Sequence, residues 1–161
     1  MIPASEGCRQ RKGPSVLLGM TTAQLLEKEN DPLTYRIIGC AMAVHRSLGP
    51  GLLESIYEEC LNRELLAAGF KVARQPEVHV AYEGDLLHRT FRPDFVVDDE
   101  VVVEVKAVTT LLPVHTAQVL TYLKLSQIER GLLINFNCER LIEGVKRLIL
   151  TRQVPAPTNS K

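Results

Sequence analysis

Three isolated charges, Asp94, Glu104 and Lys106, interrupt the apolar stretch RPDFVVDDEVVVEVKAV, Arg92 to Val108. The stretch reads as two strands around an acidic turn. If that turn takes Asp98, Asp99 and Glu100, Asp94 lies directly opposite Glu104, and such cross-strand neighbours have Cβ atoms about 4.5–5.5 Å apart. A two-residue turn would set Asp94 against Val103 instead. Strand alternation puts Lys106 on the face of Glu104 and turns Val101, Val103 and Val105 to the other face. Two carboxylates at that separation repel and are costly on an apolar sheet unless a cation lies between them. Hard oxygen ligands without thiolates suit Mg²⁺ or Mn²⁺, which take one or two protein carboxylates and complete their shell with water and phosphate. Such an ion activates a water, and a lysine beside it offsets developing charge, which is the chemistry of phosphodiester hydrolysis. The plainer alternative is an exposed charged stripe, Glu104 and Lys106, on a sheet edge with Asp94 at a strand end.

Two further groups stand at helical spacing. His115, Gln118 and Tyr122 share one face of a helix, where an amide and a phenol one turn apart can hold phosphate or sugar oxygens without reading sequence. Gly51, Glu54 and Tyr57 in GPGLLESIYEE stand at the start of another helix. Glu54 gains there from the helix dipole, or adds a carboxylate to the metal site if this helix packs beside the sheet. Tyr57 reads equally as a core aromatic with its hydroxyl at the rim, and His45 as a structural histidine or an accessory ligand.

These residues need elements to hold them. Asp31 as a cap and Pro32 at the first helical position open a helix whose apolar spacing runs through Ile37, Ile38, Ala41, His45 and Leu48 and stops at Gly49-Pro50-Gly51. A second helix, with Leu53, Ile56, Cys60, Leu61 and Leu65 as its stripe, ends at Gly69 in a left-handed cap. The period then changes from helical to alternating: EVHVAY and LLHRTF flank Glu83-Gly84-Asp85, and FRPDFVV and VVVEVKAV flank the acidic turn. A helix behind Pro113, a buried strand in GLLINF and a last strand near Val145 to Leu150 complete an α/β order with a mixed sheet flanked by helices and an N-terminal helical hairpin.

With 161 residues, 45% hydrophobic and 24% charged, the composition fits one domain, expected over 31–151, between a disordered extension at 1–30 and a flexible tail at 152–161. The start codon is either Met1 or Met20. Nineteen basic and nineteen acidic residues cancel, so a polyanion would bind through a local patch or a metal rather than a global field. The cysteines Cys8, Cys40, Cys60 and Cys138 show no zinc-ligand spacing and fit a reducing cytoplasm. No apolar run reaches the roughly 20 residues of a membrane helix.

Taken together, HRSLGPG with Gly51, Glu54 and Tyr57, then RPDFVVDDEVVVEVKAV, HTAQVLTYLKL and GLLINFN resemble the GxxExxY proteins of the PD-(D/E)XK nuclease superfamily over about Leu33 to Leu150. The resemblance implies a restriction-endonuclease-like core, with Asp94, Glu104 and Lys106 as the PD…E-x-K set. Gln118 and Tyr122 are similar to the Q-x-x-x-Y motif of the RecB-type branch, which acts on DNA ends or single strands. That branch carries a metal-binding histidine in G-x-x-x-H, whereas His45 follows Gly39 by six residues; the role falls to His45, to Glu54 or to neither. The leading expectation is a Mg²⁺- or Mn²⁺-dependent nuclease acting on DNA in preference to RNA. The alternative is a nuclease-fold binding or regulatory module without catalysis.

Overall fold

A side-chain cap opens the first helix, α1 (Pro32–Leu48). The Asp31 carboxylate accepts a hydrogen bond from the Leu33 amide at 3.1 Å, and Pro32 stands where its missing amide hydrogen costs nothing. These coordinates are a computed structural model describing residues 31–150. The extension expected at 1–30, the choice of Met1 or Met20, Cys8 and the tail expected at 152–161 therefore lie outside the described residues. Helix α1 ends at Gly49, whose φ of 67° favours glycine. It buries Ile37, Ile38, Ala41, Val44 and His45, while Leu48, expected on the same stripe, is exposed in the last turn.

Helix α2 (Glu54–Ala67) stops where Gly69 turns left-handed at φ 83°. Its inner face differs from the expected stripe. Tyr57, Glu58, Leu61 and Leu65 are buried, Leu53 and Ile56 are exposed, and Cys60 is half-buried. The cause is long-range: Tyr57 stacks on Phe136 with centroids 4.6 Å apart, which sets the roll of the helix and turns Leu53 and Ile56 outward.

The strands that follow are β1 (Val72–Arg74), β2 (Val78–Tyr82), β3 (Asp85–Phe91), β4 (Phe95–Val97) and β5 (Val101–Lys106). Helix α3 (Pro113–Ser126) then leads to β6 (Arg130–Asn135), a short 3-10 turn (Leu141–Gly144) and β7 (Val145–Ile149). Five strands form one mixed sheet in the order β1-β4-β5-β6-β7, in which only β5 and β6 are parallel. Parallel neighbours need a crossover, and α3 is that crossover. Two expectations change here. Strand β1 was not anticipated, because three residues are too few for alternation to register. The β2–β3 hairpin makes its own two-stranded sheet, and Asp85 already belongs to β3, since Glu83 and Gly84 alone, both at positive φ, form the turn.

Each face of the large sheet is covered. Phe95, Val97, Val101, Val103, Val105, Leu132 and Ile134 pack toward α1 and α2. Val96, Val102, Leu133 and Leu148 pack toward Val119, Tyr122 and Leu123 of α3. The α3 contact is close: a Cβ at Gly131 would meet Val119 Cγ1 at 2.8 Å, so glycine is what lets the helix approach β6. The result is the α/β architecture of a restriction-endonuclease-like core, a mixed sheet between a helical hairpin and a crossover helix. No helix among the described residues is long and apolar enough to cross a membrane.

Candidate functional site

The β4–β5 hairpin uses the three-residue turn. Phe95 pairs with Val103, Val96 with Val102 and Val97 with Val101, and the same register carried one step further sets Asp94 against Glu104. Asp98 and Asp99 both adopt left-handed φ values, 52° and 57°, which short polar side chains tolerate. The turn acids lie at the surface and are also tied down: Asp98 accepts from the Lys71 amide at 2.8 Å, Asp99 pairs with the Lys71 ammonium at 2.6 Å, and Glu100 pairs with Arg130.

The three strand charges are buried, which excludes the exposed-stripe alternative. Glu104 is 2% exposed, and Asp94 and Lys106 are 9% exposed. Asp94 Oδ2 accepts from the Val105 amide at 2.7 Å, while the Gln75 amide donates to the Asp94 carbonyl at 2.9 Å. Lys106 Nζ donates to Glu104 Oε1 at 2.8 Å, to the Val105 carbonyl at 3.0 Å and to Glu54 Oε1 at 3.4 Å. These contacts account for all the donors of an ammonium.

Glu54 reaches the sheet from the first turn of α2, and its second oxygen accepts from the Ala107 amide at 3.3 Å. Its approach depends on Tyr57. The Tyr57 hydroxyl donates to the Gly49 carbonyl at 2.6 Å and accepts from the Leu52 amide at 3.1 Å, closing the glycine turn that leads into Glu54. Tyr57 is thus a core aromatic that shapes the site without entering it.

On the α3 face of the sheet, the face to which alternation turns Asp94 and Glu104, Gln118 Nε2 donates to the Tyr122 hydroxyl at 3.0 Å, and that hydroxyl donates to the Arg92 carbonyl at 3.4 Å. Gln118 and Tyr122 therefore brace the segment entering Asp94. The two histidines stand elsewhere. His45 Nε2 lies 2.8 Å from the Cys138 carbonyl and ties α1 to the loop after β6, and His115 Nδ1 accepts from the Leu112 amide at 3.1 Å as a cap for α3.

Two members of the site were not anticipated. Glu58, one helical turn after Glu54, is buried at 8% exposure and accepts from Gln75 Nε2 at 3.2 Å. Its i, i+4 relation to Glu54 was the available signal, hidden by an acidic pair that resembles a solvated surface. Asn135, at the end of β6, clamps Val108 from both sides, accepting from its amide at 3.0 Å and donating to its carbonyl at 2.8 Å. That clamp fixes the chain next to Ala107, where Glu54 docks.

Crowded carboxylates shape the electrostatics. Burial first, then the charge of Glu104, pushes the Asp94 carboxyl up to about 7, against the opposing Val105 hydrogen bond. Burial also raises Glu104, with Lys106 opposing. For Lys106, burial works against the charge, but the Glu104 bond and the surrounding acids outweigh it and hold the ammonium above its usual range. Burial raises the Tyr122 phenol, Gln118 opposes, and the charges of Glu104 and Asp94 add to the rise.

The donor set fits a divalent cation. Glu54, Glu58 and Asp94 each offer an oxygen within 4.8 Å of the others. Glu104 Oε2 is buried and, unlike Oε1, is not engaged by Lys106; only the Asp94 amide lies near enough to favour its charge, and a hard cation would complete its coordination.

A protein-family model described as the PD-(D/E)XK nuclease superfamily matches residues 31–148, most of the chain. No curated protein and no solved structure matches.

Proposed function

The chain belongs to the PD-(D/E)XK nuclease superfamily, and on that premise we propose that it is a divalent-metal-dependent nuclease that hydrolyses phosphodiester bonds of DNA. The observation that carries this reading is the buried Oε2 of Glu104, left free by the Lys106 bond to Oε1, on the residue that the hairpin register sets against Asp94. Glu104, Asp94 and Glu54, with Glu58, would hold Mg²⁺ or Mn²⁺. When bound, that ion supplies an activated water and charge stabilisation on the phosphate.

The chain's own residues do the rest. Lys106 positions its ammonium through Glu104 and the Val105 carbonyl. Its contact to Glu54, the longest at 3.4 Å, is the one that yields to a substrate oxygen. Gln118 and Tyr122 hold the Arg92–Asp94 approach, and of the two the half-buried Gln118 is the one placed to meet a nucleic-acid backbone. The GxxExxY motif and the Q-x-x-x-Y helix support membership of the GxxExxY proteins and the RecB-type branch, which favours DNA over RNA. The free thiols Cys40, Cys60 and Cys138 suit a cytoplasmic setting.

The test is cleavage of labelled single- and double-stranded DNA with Mg²⁺ or Mn²⁺ against chelator. Metal-dependent products support the reading, and intact DNA and RNA in every condition would remove it. One observation favours an idle binding or regulatory module: every donor of Lys106 is already engaged. Calorimetric titration separates the two, because an idle module of that kind binds neither ion.

A further inference from the structure

Of the four phenylalanines in the chain, Phe70, Phe95 and Phe136 are buried, whereas Phe91 is 41% exposed. A single exposed ring means little by itself. Phe91 differs in how it is mounted and in what it stands beside. It is the last residue of β3, held in register against Val78, and its ring meets Tyr122 edge-on at 5.9 Å and 76°. The Tyr122 hydroxyl in turn bonds the carbonyl of Arg92, the next residue. The Arg92 guanidinium is paired with Glu77 across the base of the hairpin.

The chain then runs through buried Pro93 into Asp94. Three residues of extended chain span at most about 10 Å. An aromatic ring held against Tyr122 therefore stands within about one nucleotide's reach, at most about 10 Å along the chain, of the residue that the proposed reaction uses. Tyr122 packs with Val96 and Val102 on the sheet face to which alternation turns Asp94 and Glu104, so it links ring and site in one packed unit.

We propose that Phe91 is a stacking platform for an unpaired nucleobase of the nucleotide adjoining the phosphate held at Asp94 and Glu104. The proposal rests on the nuclease reading above and adds a residue that determines specificity. A nucleobase within a duplex is already stacked on its neighbours, so only an unpaired one presents its face to the ring. Stacking on an aromatic side chain is tolerant of sequence and shifts affinity roughly tenfold per base. The site consequently favours unpaired strands and frayed ends over continuous duplex.

The test is fluorescence anisotropy in Mg²⁺ with two labelled phosphorothioate strands of equal length, one oligothymidylate and one abasic. The strands carry the same charge, so only the bases differ. Wild-type protein is expected to bind the thymidylate roughly tenfold more tightly than the abasic strand. Phe91→Ala and Phe91→Leu should both lose that preference while keeping the abasic affinity, and Phe91→Trp should retain it. The leucine variant preserves apolar packing on Tyr122, so it separates stacking from folding. Equal binding of the two strands by wild type, or an undiminished preference in Phe91→Leu, overturns the platform and leaves the nuclease reading standing. Failure to bind either strand also overturns the platform, and the nuclease reading is then decided by the cleavage assay on duplex and RNA.

Discussion

The Tyr57 hydroxyl and the Gly49 carbonyl meet at 2.6 Å, so the turn that delivers Glu54 to the sheet is closed by a residue one helical turn beyond it. Tyr57→Phe keeps the stack on Phe136 but orphans this carbonyl and the Leu52 amide. The expected loss is about 1–3 kcal/mol of stability, with weaker Mg²⁺ or Mn²⁺ binding because Glu54 loses its fixed approach. Denaturant unfolding and calorimetry measure the two effects. Metal affinity equal to wild type would show that Glu54 needs no such support.

Lys106 and Glu104 form a buried pair, and removing one partner of such a pair strands the other. Lys106→Ala should cost about 3–5 kcal/mol and abolish cleavage. The double change Glu104→Gln with Lys106→Met should recover most of the stability while remaining inactive. Chemical denaturation run beside a cleavage assay checks both. Cleavage by the double variant would free these residues of any catalytic part.

Asp94 sets a pH dependence. Its folded-state value of about 7 stands above the ordinary 3.8, so the native protein holds a proton that the unfolded chain releases. Its contribution to stability is complete below the unfolded value and is lost as pH rises toward about 7, then flattens. A cation takes the deprotonated form, so stabilisation by Mg²⁺ or Mn²⁺ should grow between about pH 6 and about pH 8. Thermal unfolding with and without metal at both pH values tests this, with Asp94→Asn expected to flatten the growth. A metal effect independent of pH would count against Asp94 as a ligand.

Asn135→Ala should loosen the chain beside Ala107. Loss of both Val108 hydrogen bonds leaves polar groups unmatched next to the Glu54 docking point. A destabilisation of about 2–3 kcal/mol is expected, together with a drop in cleavage that Asn135→Asp restores only in part. Turnover unchanged in a folded Asn135→Ala protein would confine this residue to stability.

Local chemistry was legible in the sequence and long-range contacts were not. The Asp31 cap, the Gly49 stop, the hairpin register and the alternation of Val101 to Lys106 depend on neighbours in the chain, and each stands as expected. The roll of α2 depends on Phe136, a residue distant along the chain, so the stripe through Leu53 and Ile56 was misplaced. His115 shares a helical face with Gln118 by spacing, yet its ring turns back to cap Leu112, because an open helix end is a nearer partner. Glu58 and Asn135 carry no motif. Only the fold brings them to Asp94 and Val108.

The parallel pairing of β5 with β6 also has a consequence for synthesis. Every residue from Val101 to Lys106 has its partner on β6, which leaves the ribosome only after α3. Until then Glu104 and Lys106 lie on a bare strand edge, without the neighbour that helps bury them, and the Asn135 clamp does not exist. A nascent or truncated chain thus carries the motif residues without a working constellation. The candidate site is therefore completed late, because β6 brings the Asn135 clamp and the strand beside Glu104 and Lys106.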